Sequence, residues 1–136
     1  GGAGAKEKYD AGVTASFARY GLDASSFLAP TGAYAYPSAG TVEQQLEAII
    51  TQKWASMPGS HSLEAFFEKN RTGYPKTSTV YSTDAAYIPG QFVYPFNGVT
   101  NGQFAKRLVF PDAERSKNSS TPAEVPLTTP VWWDAN

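Results

Sequence analysis

Cysteine is absent from the 136 residues. That excludes a disulfide framework, a thiol nucleophile and a thiolate metal site, and it leaves the compartment open. Charge is scarce as well. Asp, Glu, Lys and Arg make up 17% of the chain, below the usual quarter or so, with a formal net charge of -1. Neither a basic patch for nucleic acid nor an acidic tail stands out. No apolar run approaches the ~20 residues that a membrane-spanning helix needs, and no signal peptide is visible. The single histidine, His61, lies in a Pro-Gly-Ser-His-Ser turn and reads as a solvated loop residue. No serine stands in a nucleophile-elbow pattern, no metal-ligand cluster is spaced for coordination, and the Gly-rich start lacks the preceding strand of a phosphate-binding loop. Asp84, Asp112, Glu114 and Asp134 supply carboxylate pairs on paper for glycosidic chemistry, but nothing singles one pair out. No catalytic, metal or cofactor-binding residue is assigned.

Aromatic residues, by contrast, reach 14%. Rings at this density need a surface to bury against or a ligand to stack on. Residues 1–5, Gly-Gly-Ala-Gly-Ala, read as an added scar or linker remnant, so the natural N-terminus with any targeting segment is expected upstream. Residues 6–136 fit one compact unit in two parts. The first, 6–75, reads as helices. Tyr9, Val13, Phe17 and Tyr20 share one helical face, and Gly21 sits where a left-handed C-cap ends that helix, followed by the apolar Leu22. Pro30 to Gly40 reads as loop. Thr41 and Gln44 form a capping-box pattern ahead of a stripe of Val42, Leu46, Ile49, Ile50, Trp54 and Met57. Pro58-Gly59 stops this second helix. Ser60 or Ser62 is positioned to cap a third, which carries Leu63, Phe66 and Phe67 and ends at Gly73 and Pro75. The short connection predicts an antiparallel helical hairpin.

The second part, 76–136, changes character. No helical period appears from Tyr74 onward. Gln91–Phe96 and Arg107–Phe110 are the two candidate strands, and most of the rest is Pro, Ser, Thr, Asn and Gly. Ordering each residue costs roughly 1 to 2 kcal/mol of backbone entropy. Yet Trp132, Trp133 and many other rings in this part argue against plain disorder. The expectation is an irregular segment that wraps over a helical body, part of which lies upstream.

Individual residues divide between packing and binding. Trp54 is expected in the core, with Lys53 as an exposed flank. Arg71 is expected to bond backbone carbonyls and so tie the end of the third helix to the irregular segment. Trp132 and Trp133 point opposite ways in an extended segment, so at most one faces a ligand; packing of the tail is the expected role of both, with Asp134 accepting from backbone or Arg. Tyr34, Tyr36, Tyr81, Tyr87 and Phe96 lie in loops, where exposed rings are the better binding candidates. Asn70-Arg71-Thr72 and Asn118-Ser119-Ser120 match a glycosylation sequon by chance.

Four pieces in order carry a resemblance. They are Ile49-Ile50-Thr51-Gln52-Lys53-Trp54; Arg71-Thr72-Gly73-Tyr74-Pro75; Lys106-Arg107-Leu108-Val109-Phe110-Pro111 with Glu114 and Asn118; and Thr129-Pro130-Val131-Trp132-Trp133-Asp134. This succession resembles the C-terminal part of SusD/RagB-like outer-membrane nutrient-binding lipoproteins, over about Lys6 to Asp134. Tyr87-Ile88-Pro89-Gly90-Gln91-Phe92-Val93-Tyr94-Pro95 looks like a first copy of the third piece, with Gly90-Gln91 where basic residues are usual. Family members are several times longer. They carry a lipidated N-terminal cysteine and helical repeats ahead of this region.

The resemblance implies a mainly α fold: a tetratricopeptide-like hairpin with one preceding helix, then the irregular wrap. It implies a surface-exposed lipoprotein of the outer membrane that is not an enzyme and needs no cofactor. Such a protein captures oligosaccharide or another nutrient for uptake through a TonB-dependent transporter, its partner, and binds no nucleic acid. The resemblance allows a bound calcium in relatives, and no ligand set for it is visible here. In relatives the glycan-contacting aromatic arc lies largely upstream of this region, so the ligand-binding residues of this chain are left unknown. Two rivals stand beside this reading: an assembly module that docks on the transporter with the glycan site elsewhere, and, more distantly, a small glycan-active hydrolase.

Overall fold

The computed structural model describes residues 2–134. Helix is the main regular structure: α1 (Ala5–Ala18), α2 (Val42–Ser56), α3 (Ser62–Thr72) and the short α4 (Asp112–Lys117). A parallel bridge between Thr77 and Phe92 is the sole β pairing among the described residues.

In α1 the four-residue spacing puts Tyr9 and Val13 on one buried face, where they meet Ala24 and Tyr36 of the following loop. Rings continue this core outward. Tyr9 and Tyr36 lie 5.4 Å apart, Phe17 and Phe27 lie 5.0 Å apart, and Phe27 stacks on Tyr34 at 4.8 Å. The buried Tyr9 hydroxyl donates to the Tyr34 carbonyl at 2.6 Å, so its polar end is satisfied. Burial, with the charge of Asp10 beside it, pushes this phenol up to about 12. Tyr20, expected on the same face, is exposed instead. The helix closes at Arg19, Gly21 takes φ 68°, and the Leu22 N–H donates back to the Phe17 carbonyl at 3.1 Å. That turn carries Tyr20 off the stripe.

The capping box of α2 forms as its sequence requires. Gln44 N–H donates to Thr41 Oγ1 at 3.2 Å, and Thr41 N–H donates to Gln44 Oε1 at 2.8 Å. One position further, the buried Gln45 amide donates to the carbonyls of Pro37 and Gly40, both at 3.3 Å, and ties the preceding loop to the helix. α2 packs against both α1 and α3. Residues 57–61 join α2 to α3, and Lys53 reaches Glu64 at 3.0 Å and Glu68 at 3.3 Å. At the other end the Tyr74 hydroxyl donates to Glu43 Oε1 at 2.6 Å. These cross-links fix the pair as antiparallel. The expected serine cap of α3 does not form: His61 stands at the N-cap without a side-chain bond, and the Ser60 hydroxyl instead closes the turn on the Met57 carbonyl at 3.1 Å.

Burial within the stripes is uneven. Ile50 and Met57 are buried, while Val42, Leu63 and Phe67 stay open. Only fully buried large side chains contribute the ~1.5 to 3 kcal/mol expected of them, so the hairpin alone is weakly held. Trp54 is half-buried rather than core, with its edge against Phe92 at 4.8 Å.

The remaining chain, 73–134, is mostly without regular structure. Neither Gln91–Phe96 nor Arg107–Phe110 is a strand. Phe92 alone pairs, donating its N–H to Lys76 O at 2.7 Å and accepting from Ser78 N–H at 2.8 Å. Pro95 and Pro111 remove the donors that would extend a ladder. Long-range bonds order the segment instead. Lys106 N–H donates to Leu127 O at 2.8 Å, and the Arg107 guanidinium donates to the carbonyls of Thr129 at 2.9 Å and Pro130 at 3.1 Å. Arg107 therefore has the carbonyl-tying role expected of Arg71, which pairs with Glu68 in its own helix at 2.9 Å. α4 had no apolar period to announce it. It begins after Pro111, with Asp112 and Glu114 in its first turn and Arg115 and Lys117 in its last, the charge order that a helix dipole favours.

Candidate functional site

The face of α3 turned toward the irregular segment is polar. Ala65 and Lys69 lie one turn apart with Asn70 beside them; Lys69 is 5% exposed and Asn70 1%. Burying such groups is costly unless they are bonded. The Asn70 amide donates to Ala105 O at 3.2 Å, which also removes it as a glycosylation acceptor. The Lys69 ammonium donates to the Pro75 carbonyl and lies 5.0 Å from the Phe104 ring centroid and 6.0 Å from that of Phe92. Those two rings, 5.7 Å apart, join Tyr94 and Phe66 in one cluster.

Beside this face a pocket of about 500 Å³ opens between α3 and the irregular segment. It is lined by Thr77, Ser78 and Thr79, by Asn70, Asn101 and Gln103, and by Phe96 and Phe104; of these, the Ser78 hydroxyl is closed on the Val80 carbonyl at 2.8 Å and Asn70 is bonded to Ala105. Tyr81 stands perpendicular to Phe96, with ring centroids 4.7 Å apart. The rim is tightly built. Asn101 has φ 50°, the sole non-glycine positive φ among the described residues, and Gly102 has φ 78°. A Cβ at Gly102 would lie 2.5 Å from Phe96 Cδ1, so only glycine lets the backbone run over that ring. The neighbouring Thr100 hydroxyl is buried without a hydrogen-bond partner. A backbone held in sparsely populated geometry beside a pocket is an arrangement often found at ligand sites.

Two lysines, Lys69 and Lys106, line the pocket, and among the described residues no carboxylate does. Lys106 is shared with the buried Asp134 at 3.0 Å. Burial, helped by the charge of Lys106, pushes the Lys69 ammonium down to about 8. A larger groove of about 560 Å³ lies between α1 and α2, on Val13, Phe17, Phe27 and Ile49. Its walls are mainly apolar and continue the core. The smaller pocket has the convergent polar groups that orient a ligand.

Several sequence candidates fall elsewhere. Tyr36 is core, Tyr34 is stacked on Phe27, and the Tyr87 hydroxyl closes its own turn on Gln91 O at 2.7 Å. Phe96 reaches the pocket. Trp132 is 95% exposed, against the expectation that it packs, while its neighbour Trp133 meets Phe67 at 6.1 Å. Asp134 accepts from Lys106 at 3.1 Å. His61 is an exposed helix cap. Asp84 accepts from the Ala86 N–H at 2.8 Å in a turn, and Asp112 and Glu114 lie in α4. No group of three or more metal-ligating side chains occurs among the described residues, and no described helix is long and apolar enough to cross a membrane. Sequence reading missed Lys69, Asn70, Asn101 and Gln103. Their signal was slight: a Lys-Asn pair within the inner face of an otherwise amphipathic helix, and an Asn-Gly turn.

No curated protein matches the chain. The SusD-like family, described as Susd and RagB outer membrane lipoprotein, matches over residues 29–134, which takes in α2, α3, the whole pocket and the terminal clamp of Arg107, Lys106 and Asp134. The chain belongs to the SusD-like family of outer-membrane lipoproteins.

Proposed function

We propose that this chain captures oligosaccharide at the outer-membrane surface, without cleaving it, for uptake through a TonB-dependent transporter. Nutrient and glycan binding at the cell surface is the family's role. The observation that carries the reading to this chain is the composition of the α3 pocket: amide and hydroxyl residues beside aromatic ones, with no carboxylate among the described lining residues. Amides and hydroxyls match the donors and acceptors of sugar hydroxyls, and the half-buried rings of Phe96 and Phe104 add apolar surface for sugar C–H groups. Glycosidic hydrolysis needs two facing carboxylates, so the lining favours holding over cutting. Ligand-observed NMR with a panel of neutral and acidic oligosaccharides tests this. Saturable binding, weakened roughly tenfold by Phe96→Ala and with no reducing ends released, supports it. Absence of binding across the panel, or release of reducing ends, sinks it.

A second reading has its own observation. Leu108, Val109 and Phe110 are consecutive, apolar and exposed just before α4. Such a run is an error in a protein surface unless it meets a partner. On this reading the segment docks on the transporter, and Leu108→Ser with Phe110→Ser abolishes co-purification with it while leaving the helical circular dichroism unchanged. Unaltered co-purification refutes it.

A further inference from the structure

We propose that the α3 pocket takes the carboxylate of an acidic sugar, a uronate-type residue of the captured glycan, with the Lys69 ammonium as its counter-charge; this rests on the capture reading above. Among the described residues no carboxylate pairs with Lys69, and its hydrogen-bond acceptor is the Pro75 carbonyl. An ammonium has three N–H donors, so two remain. A buried charge in this state calls for an anion, because protein dipoles and ring faces replace water only in part. The neighbouring charge is Lys106, which repels Lys69 and is itself shared with Asp134. The pocket lining therefore carries surplus positive charge, and a ligand carboxylate would remove it.

The rest of the lining selects a sugar over an acidic peptide. Asn101, Gln103 and Thr79 stand exposed at the mouth, with donors and acceptors suited to ring hydroxyls. A peptide bound in extended form would pair with a strand edge, and the described residues include none beyond the single Thr77–Phe92 bridge.

The 136-residue chain is titrated with galacturonate, glucuronate and N-acetylneuraminate oligomers, with neutral galactose and glucose oligomers, and with an oligoglutamate peptide. At least one acidic oligomer is expected to bind roughly tenfold more tightly than its neutral counterpart, with affinity falling as salt rises. Lys69→Met removes that preference. Gln103→Glu, an isosteric change at the exposed rim that adds a negative charge beside the pocket, weakens acidic oligomers more than neutral ones. Equal affinity for acidic and neutral oligomers, insensitive to both substitutions, overturns the acidic assignment and leaves glycan capture standing. Binding of oligoglutamate without any acidic sugar overturns it in favour of a peptide. If no saccharide binds, the capture reading fails with it.

Discussion

Lys69→Met should change how stability responds to alkali. In the folded chain the ammonium is buried and pushed down from 10.5 to about 8. Unfolded, it titrates near its ordinary value of about 10.4. Between these two values the unfolded chain binds more protons than the folded one, so the contribution of this group to stability rises with pH. Below pH 8 the folded chain carries the full cost of a charged, unpaired ammonium. Above about 10.4 both states are neutral and the cost is gone. A separation of about 2.5 units at 1.36 kcal/mol each makes the rise about 3 kcal/mol. Lys106 faces Lys69 and is paired with Asp134 at 3.0 Å. Tyr9 and Tyr74, both pushed up to about 12, act oppositely above pH 10, because the unfolded phenols ionise first. They are present in both proteins and cancel in the difference. The assay is urea denaturation, followed by tryptophan fluorescence, of the wild type and Lys69→Met from pH 7 to 10. The variant leaves the Pro75 carbonyl without its donor, which is a constant offset. The wild type should gain on the variant by about 2 to 3 kcal/mol across that range. A flat difference would show that the folded ammonium keeps its proton, and that burial does not govern this site.

Three further outcomes follow from other contacts. Thr41→Ala removes one half of the α2 capping box and should cost about 1 kcal/mol in chemical denaturation; no change would mean that Gln44 alone secures the helix start. Asp134→Ala leaves Lys106 beside Lys69 without its carboxylate and should cost about 3 kcal/mol, because the Asp134 side chain is fully buried. It should also raise hydrogen exchange at the Lys106 amide, and unaltered exchange there would refute the clamp. Trp132→Ala, at a side chain 95% exposed, should lie within about 0.5 kcal/mol of the wild type; a larger loss would return Trp132 to the packing role that its sequence suggested.

How far the sequence was legible varies with the distance over which each feature is decided. The α2 start was legible because a capping box lies within four residues, and Gly21 and Gly73 marked their turns because a positive φ is a local demand that glycine meets. The apolar face of α1 was legible through Tyr9 and Val13, but not its end at Tyr20. The serine cap of α3 failed because the helix starts at Ser62 with His61 at the cap, leaving Ser60 one residue too early and Ser62 already inside. The strands failed because prolines left Phe92 with a single bridge. Trp54 and Trp132 were misplaced for a common reason: hydrophobicity ranks what tends to be buried, whereas neighbours decide what is. Arg107 and Arg71 were interchanged for the same reason, since either guanidinium could reach carbonyls until the fold chose one.

The family was readable from four short pieces in order, since each is a local pattern of residue types. The pocket was not. Lys69 and Asn70 lie about thirty residues from Asn101 and Gln103 in the chain and meet only because the Pro75 and Ala105 carbonyls are brought onto α3. A helix period can say that Lys69 points inward. It cannot say that a ring, a carbonyl and a second lysine will be waiting there, because those neighbours arrive through long-range packing of a segment that has almost no periodicity of its own.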